Sequence, residues 1–227
     1  LVIVMGYGIL LPQSFLEKPI FGCINVHLSL LPKWRGASPV EYSLLTGENE
    51  TGVTIFKLTK KLDSGPILAF QKCQIADSMT KIQLQDKLNN IGNKLLIKIL
   101  PDYFSGKLEI KLQDGVRATY ASKIKSSDAK INFFNSSRDV YNKIRAFSPK
   151  PGSWFILNNE RIKILSCSIE SKKGESSIIL SKDFLIGCKD KSIKPLIIQR
   201  EGKKSMNIKD FLKGFSFQVG DKVNLNA

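Results

Sequence analysis

Between residues 82 and 100, Ile82, Leu84, Leu88, Ile91, Leu95, Leu96, Ile99 and Leu100 recur at near-helical spacing. A helix with one apolar face must bury that face against another layer. The residues ahead of it offer such a layer. Residues 1–5 form a continuous apolar run, Cys23–His27 reads as a short strand, and residues 51–58 and 66–75 alternate apolar and polar side chains as strands do. Ser78 or Thr80 can cap the long helix, and Pro101 or Gly106 marks its end. A shorter helix is predicted over residues 39–45, with Ser38 as cap, Pro39 at the first position and Gly47 just past the end. This order predicts an α/β domain, a partly parallel sheet flanked by helices. Because Leu1 opens directly inside a strand, only the C-terminal half of such a sheet is expected, and the chain reads as a fragment.

The pattern changes after residue 110. Residues 111–128 are polar, with Gly115 and a Ser126-Ser127-Asp128 cluster, and read as a linker. A helix is predicted over residues 137–147, with Val140, Ile144 and Phe147 inward. Short strand-like runs follow at 153–157, 162–167, 177–180, 184–188 and 196–199, then a short helix at 206–215. Such spacing suggests a small β barrel. The expected organisation is thus a first domain over 1–110, a linker over 111–128 and a second domain over 129–227.

Charge divides at the same place. Residues 1–110 carry 12 Lys and Arg against 9 Asp and Glu, and residues 111–227 carry 23 against 11. A near-neutral half joined to a strongly basic one suggests a catalytic part and a part that binds a polyanion. A lysine-rich proteome would also raise the charge, but in both halves. No run of 18 apolar residues is present, so no membrane span is expected. The four cysteines form no CxxC pair and only one histidine could join them, so no metal site is expected. They read as reduced, buried cysteines of a cytosolic protein.

That one histidine, His27, is the chain's only imidazole for acid–base chemistry near neutral pH. It ends a strand, where open α/β sheets place their clefts. Asn25, two residues earlier, projects from the same strand face. An amide beside an imidazole can bind and polarise a carbonyl oxygen, although a satisfied structural histidine fits the pattern equally well. Asp63 precedes Ser64-Gly65 and alone reads as a turn former. A carboxylate reaching His27 would orient the ring. Pro32-Lys33-Trp34-Arg35-Gly36 is either a solvated basic loop or a contact for an anionic substrate.

Three segments together go further. Residues 23–39, CINVHLSLLPKWRGASP, resemble the signature of formyltransferases that use 10-formyltetrahydrofolate, and TGVTI at 51–55 and LDSGPIL at 62–68 match that family's next two motifs in order. RAFSPKPGSW at 145–154 resembles the entry into the C-terminal domain of the members acting on methionyl-tRNA. The resemblance spans nearly the whole chain, strongly to residue 70 and more weakly after 165. It implies the C-terminal half of a Rossmann-like formyltransferase domain followed by a small OB-like β-barrel domain that helps hold tRNA. The earlier part of the family's chain would supply the first strands and a tRNA-contacting loop.

The resemblance also implies a chemistry. A formyl group passes from 10-formyltetrahydrofolate to the α-amine of initiator methionyl-tRNA, without a metal. Asn25 holds the formyl oxygen, His27 stabilises it and assists proton transfer, and Asp63 sets the state of His27. The folate lies against Tyr7, Gly8, Ile9 and Leu10 and against the loop bearing Leu58, Leu62 and Asp63. The candidate tRNA contacts are Arg35, Lys123, Lys125, Lys130, Lys143, Arg145 and Lys150. A monomer in the bacterial cytoplasm or an organellar matrix is expected. Two other readings stay open on the sequence: a related formyltransferase acting on a small amine, and a non-catalytic RNA-binding module.

Overall fold

A computed structural model describes residues 1–6 and 11–224, which divide into two compact units: residues 1–43 with 48–124, and residues 125–224 with 44–47.

The first unit is built on a four-stranded mixed sheet. Strands β1 (Val2–Met5) and β2 (Cys23–His27) are parallel, with a short helix α1 (Gln13–Leu16) between them in sequence. The chain then makes a two-residue strand, β3 (Arg35–Gly36), and helix α2 (Pro39–Leu45). Strands β4 (Glu50–Lys57) and β5 (Ile67–Gln74) complete the sheet in the order β1-β2-β4-β5, with β4 antiparallel to both neighbours. Ile24, Val26, Val53, Ile55 and Phe56 are buried in it.

Helix α3 (Lys81–Phe104) covers this sheet with Leu84, Leu88, Leu95, Leu96 and Ile99, most of the face its periodicity predicts, while Ile82 in the first turn is exposed. Gly92 sits in the middle of that face. A Cβ there would stand 2.8 Å from Val26 Cγ1 and 3.3 Å from Val53 Cγ1, so glycine permits the close approach of helix to sheet. The Thr80 N–H donates to Gln83 Oε1 at 2.9 Å and occupies one free donor at the helix start. The helix runs through Pro101 to Phe104, and Gly106, with φ +71°, lies just past its end. A proline in the last turn removes a single hydrogen bond, which the packed turns before it tolerate.

Much of the expected linker belongs to this unit. Ile67 and Lys111 exchange both main-chain hydrogen bonds, at 2.7 and 2.9 Å. Strand β6 (Tyr120–Ala121) pairs in parallel with β3, Arg35 against Tyr120 and Gly36 against Ala121. Polar composition marks these residues as a linker, but short pieces of strand and 3-10 helix form there and their main-chain groups find partners within the unit.

In the second unit, helix α4 (Ser137–Phe147) forms where expected, with Ser136 Oγ accepting from Asp139 N at 3.1 Å. Strands β7 (Ser153–Leu157), β8 (Glu160–Glu170), β9 (Ile186–Gly187), β10 (Ser192–Arg200) and β11 (Ser205–Asn207) follow, then helix α5 (Ile208–Gly214). The sheet order is β11-β10-β8-β7 with β9 on β10, so the named strands trace an open path and do not close the expected barrel. The predicted strand at 177–180 makes only isolated bridges, Ile178 to Lys222 and Ile179 to Ile186. Phe133, Phe155, Phe184, Phe211 and Phe217 meet edge-on or tilted, at 4.9–6.3 Å between ring centroids, and fill the core.

All four cysteines are free and buried. Among the described residues no helix is long and apolar enough to cross a membrane.

Candidate active site

The C-terminal end of β2 carries Asn25 and His27 on one face, as strand alternation requires. The chain beyond it is tied back to β4. Thr54, paired with His27 across the sheet, donates its hydroxyl to Ser29 O at 2.7 Å and accepts from Leu31 N at 3.0 Å. This anchored loop returns Trp34, Arg35 and Gly36 to the strand end.

His27 is only 6 % exposed. Its Nε2 lies 2.8 Å from the Trp34 carbonyl oxygen. A carbonyl can only accept, so Nε2 carries a proton and Nδ1 is the atom left to titrate. Asp63 Oδ2 stands 3.9 Å from that Nδ1, beyond a direct hydrogen bond but close enough for charge to matter. Burial holds the His27 pKa below its ordinary 6.5, against the opposing pull of the Asp63 carboxylate and the Trp34 carbonyl. His27 is therefore neutral at pH 7, with an open lone pair on Nδ1.

Asp63 is brought there by a turn. Its φ of +43° lies in the left-handed region, which a non-glycine residue adopts only when its surroundings impose it. The Gly36 N–H donates to Asp63 Oδ2 at 2.7 Å. Asn25 contributes an atom of another kind. Its Oδ1 is buried and has no hydrogen-bond partner among the described residues. Buried polar atoms are rarely left so, and at a cleft wall this one suits a ligand's donor.

Asn25, His27 and Asp63 line one cleft of about 750 Å³. Leu58 and Leu62 from the β4–β5 connection line it too. Tyr7, Gly8, Ile9 and Leu10 lie outside the described residues. The far wall is made by residues that no motif marks. Lys81, Gln85, Asn89 and Asn93 of α3 face the cleft at four-residue intervals, and Lys81 pairs with Glu41 of α2 at 2.7 Å. Their spacing is readable in the sequence as a polar stripe beside the apolar one. Among the described residues no group of three His, Cys, Asp or Glu side chains is placed to hold a metal ion.

Three of the expected tRNA contacts are turned inward. Arg35 is 7 % exposed, and its Nε and Nη2 donate to Gln113 Oε1 at 3.1 and 2.7 Å. Arg145 is buried, with Nε donating to Asn142 Oδ1 at 3.0 Å. Lys143 Nζ donates to the carbonyls of Asp128 and Lys130 at 2.9 and 3.0 Å, and burial lowers its pKa. A long basic side chain has an apolar stem, so it can be drawn inside where its polar head finds partners within the protein. Lys123, Lys125 and Lys150 are exposed. Lys130 is half-buried, its ammonium 5.9 Å from the Trp154 ring centroid.

Known proteins resemble this chain over most of its length. Residues 1–100 match the formyl transferase family and residues 123–216 match the formyl transferase C-terminal domain. Methionyl-tRNA formyltransferase from Pelagibacter ubique is 40% identical over 98% of the chain, which spans 72% of that protein. The enzyme of the same name from Rhizorhabdus wittichii is 37% identical over 97% of the chain, which spans 71% of it. Among solved structures, HypX from Aquifex aeolicus in complex with tetrahydrofolic acid superposes with a TM-score of 0.72 at 16% identity, over 97% of this chain and 41% of HypX. Methionyl-tRNA formyltransferase from Clostridium thermocellum superposes with a TM-score of 0.58 at 18% identity, covering 75% of this chain and 74% of that one. Identities this low speak to the fold alone.

Proposed function

This chain belongs to the formyl transferase family, and from that premise we propose that it transfers a formyl group from 10-formyltetrahydrofolate to the α-amine of initiator methionyl-tRNA. The observation that carries the reading is the convergence of Asn25, His27 and Asp63 on one cleft, although Asp63 is remote from the other two in sequence. The names of the relatives that match nearly the whole chain support methionyl-tRNA as the acceptor.

The residues fit such a reaction. Leu58 and Leu62 offer an apolar wall to a flat heterocycle. When bound there, 10-formyltetrahydrofolate supplies the formyl carbon that the amine attacks. Negative charge then grows on the formyl oxygen, and the Asn25 amide N–H is the donor assigned to it. The orphaned Asn25 Oδ1 suits an N–H of the incoming amine. His27 Nδ1, unprotonated at neutral pH, accepts the proton the amine must lose, directly or through one water, and can return it to N10 of the departing tetrahydrofolate as the N10–formyl bond breaks. The imidazolium so formed is stabilised on both sides, by the Trp34 carbonyl at Nε2 and by Asp63 at Nδ1.

In this reading the second unit, an OB-like barrel in the family, contributes phosphate contacts that give affinity without sequence readout. Lys125 and Lys150 are its exposed candidates, with the half-buried Lys130, and exposed Lys123 precedes them at the end of the first unit. We place the enzyme in the bacterial cytoplasm or an organellar matrix, as a monomer.

The test is a formylation assay with 10-formyltetrahydrofolate and three acceptors: charged initiator tRNA, a glycinamide ribotide and an amino sugar nucleotide. Formylation of methionyl-tRNA at a kcat/KM well above the other two is expected. Preference for a small amine overturns the acceptor, and no formylation of any of them overturns the reaction.

A further inference from the structure

Gln113 lies in the polar stretch that follows the long helix and belongs to the first unit. Its side-chain amide uses every hydrogen-bonding site it has. Oε1 accepts from Arg35 Nε at 3.1 Å and Nη2 at 2.7 Å, while Nε2 donates to the carbonyls of Asp63 at 2.9 Å and Gly65 at 2.7 Å. Only an amide accepts a guanidinium at one end and gives two protons at the other. A carboxylate has no protons to give, and an ammonium cannot accept. The guanidinium, always charged, also fixes which end of the amide is oxygen.

Arg35 is itself held. Its N–H donates to Thr119 O at 2.8 Å, and it pairs with Tyr120 through the β3–β6 ladder. The next residue, Gly36, donates its N–H to Asp63 Oδ2 at 2.7 Å. Asp63 is therefore gripped at two points from one frame, its carbonyl through Gln113 and its carboxylate through Gly36. The same segment grips the other loop. The Trp34 N–H donates to Thr119 Oγ1 at 2.9 Å, and the Trp34 carbonyl is the partner of His27 Nε2.

The geometry points to Gln113 as a positioning residue for formyl transfer: backed by Arg35, its amide holds the left-handed Asp63 turn so that the carboxylate stands beside His27. The inference rests on the proton-transfer roles proposed above for His27 and Asp63. Among the described residues, the other charged groups lining that cleft are Lys61 of the same loop, Glu41 of α2 and Lys81 of α3, the last two paired with each other. Asp63 at 3.9 Å is the one set against the titrating nitrogen.

Two substitutions separate positioning from plain structural support. Gln113→Met keeps the length and loses all four bonds without adding charge. Gln113→Glu keeps an acceptor for Arg35 but has no protons for the Asp63 and Gly65 carbonyls. His27 is the chain's only histidine, so its imidazole titration can be followed by NMR without any turnover. In Gln113→Met, His27 is expected to titrate lower than in the wild type, because the carboxylate that raises its pKa moves away. In both variants kcat for formylation of methionyl-tRNA is expected to fall on the order of 10²-fold, the loss typical of a reacting group displaced by about 1 Å. KM for the tRNA is expected to stay within about twofold, since nothing that binds it is removed.

A folded Gln113→Met protein with a wild-type His27 titration overturns the proposal. So does a Gln113→Glu enzyme with wild-type kcat, which would mean that the amide serves only to satisfy Arg35. If Gln113→Met does not fold, Gln113→Glu decides. A shifted titration with unchanged kcat overturns the catalytic role of Asp63, and with it the link from Gln113 to formyl transfer.

Discussion

The carbonyl of Trp34 takes the Nε2 proton of His27 at 2.8 Å, and this leaves Nδ1, 3.9 Å from Asp63 Oδ2, as the only ring atom free to move a proton. A main-chain acceptor thus decides which face of the imidazole does chemistry. The three side chains act as one unit around that face. Asn25→Ala, His27→Ala and Asp63→Ala are each expected to lower kcat on the order of 10²–10³-fold, as loss of one preorganised group typically does. Double substitutions should cost little more than the worse single one. Steady-state formylation kinetics check this, and near-normal turnover in His27→Ala would remove the only histidine from the mechanism.

The pH dependence follows from the direction of the His27 shift. The base form is the neutral ring, and burial places its pKa below 6.5. Turnover should therefore be flat through neutral pH and fall only as pH drops through a value below 6.5. Asp63 pulls that pKa upward, so Asp63→Asn should move the acid limb to still lower pH while depressing the plateau. A limb above 6.5 in the wild type would contradict the assignment.

The basic residues divide into two groups with different readouts. Lys143 is bonded to the carbonyls of Asp128 and Lys130, so Lys143→Met is expected to destabilise the protein by about 1 kcal/mol, the usual net contribution of such hydrogen bonds where water can still reach the acceptors. Neutralising the exposed Lys123, Lys125 and Lys150 should leave the urea midpoint nearly unchanged. It should raise KM for tRNA and flatten the log–log salt dependence of binding by roughly 0.7–0.9 for each phosphate no longer neutralised. An unchanged salt slope in the triple variant would show that these lysines do not meet phosphate.

Gly36 is the most sensitive backbone position in the site. Its φ is +118°, and a Cβ there would stand 2.5 Å from the Ala121 carbonyl oxygen. Gly36→Ala must push β3 off β6 and carry the N–H away from Asp63. A stability loss of at least about 1 kcal/mol, the lower end for a side chain forced into such a region, should accompany a fall in kcat. Thermal melts with kinetics on the same preparation check it, and a stable, fully active Gly36→Ala protein would show that the β3–β6 pairing is dispensable.

The readable parts of the molecule are those that local pattern dictates. The apolar stripe of α3, the positions of β4 and β5 and the shared face of Asn25 and His27 follow from side-chain periodicity, although β4 is buried continuously from Thr51 to Phe56 and does not alternate as expected. Ser136 caps α4, one residue ahead of the helix drawn from the apolar spacing. What periodicity cannot show is a partner chosen by the fold. Nothing near Arg35 says that its guanidinium turns from solvent to Gln113, and nothing near Lys143 names the carbonyls of Asp128 and Lys130. A cation looks the same in sequence whether it faces phosphate or its own backbone. The two-residue strands β3 and β6 are too short to leave a pattern at all. Asp63 is legible only through its motif, since alone it is an ordinary turn residue.

The parallel pairing of Gly36 with Ala121 has a consequence for inheritance. Proteins acquire new partners when catalytic and binding halves are recombined, and a seam is harmless only beyond the last bond each half needs. Polar composition would put that seam at residue 110. Gln113, Thr119 and Ala121 all reach back to the loops that hold His27 and Asp63. A graft cut at 110 would carry the chemistry's residues and leave behind the peptide that aligns them. Whatever acceptor-binding half this catalytic half is joined to, the stretch through residue 121 has to travel with it.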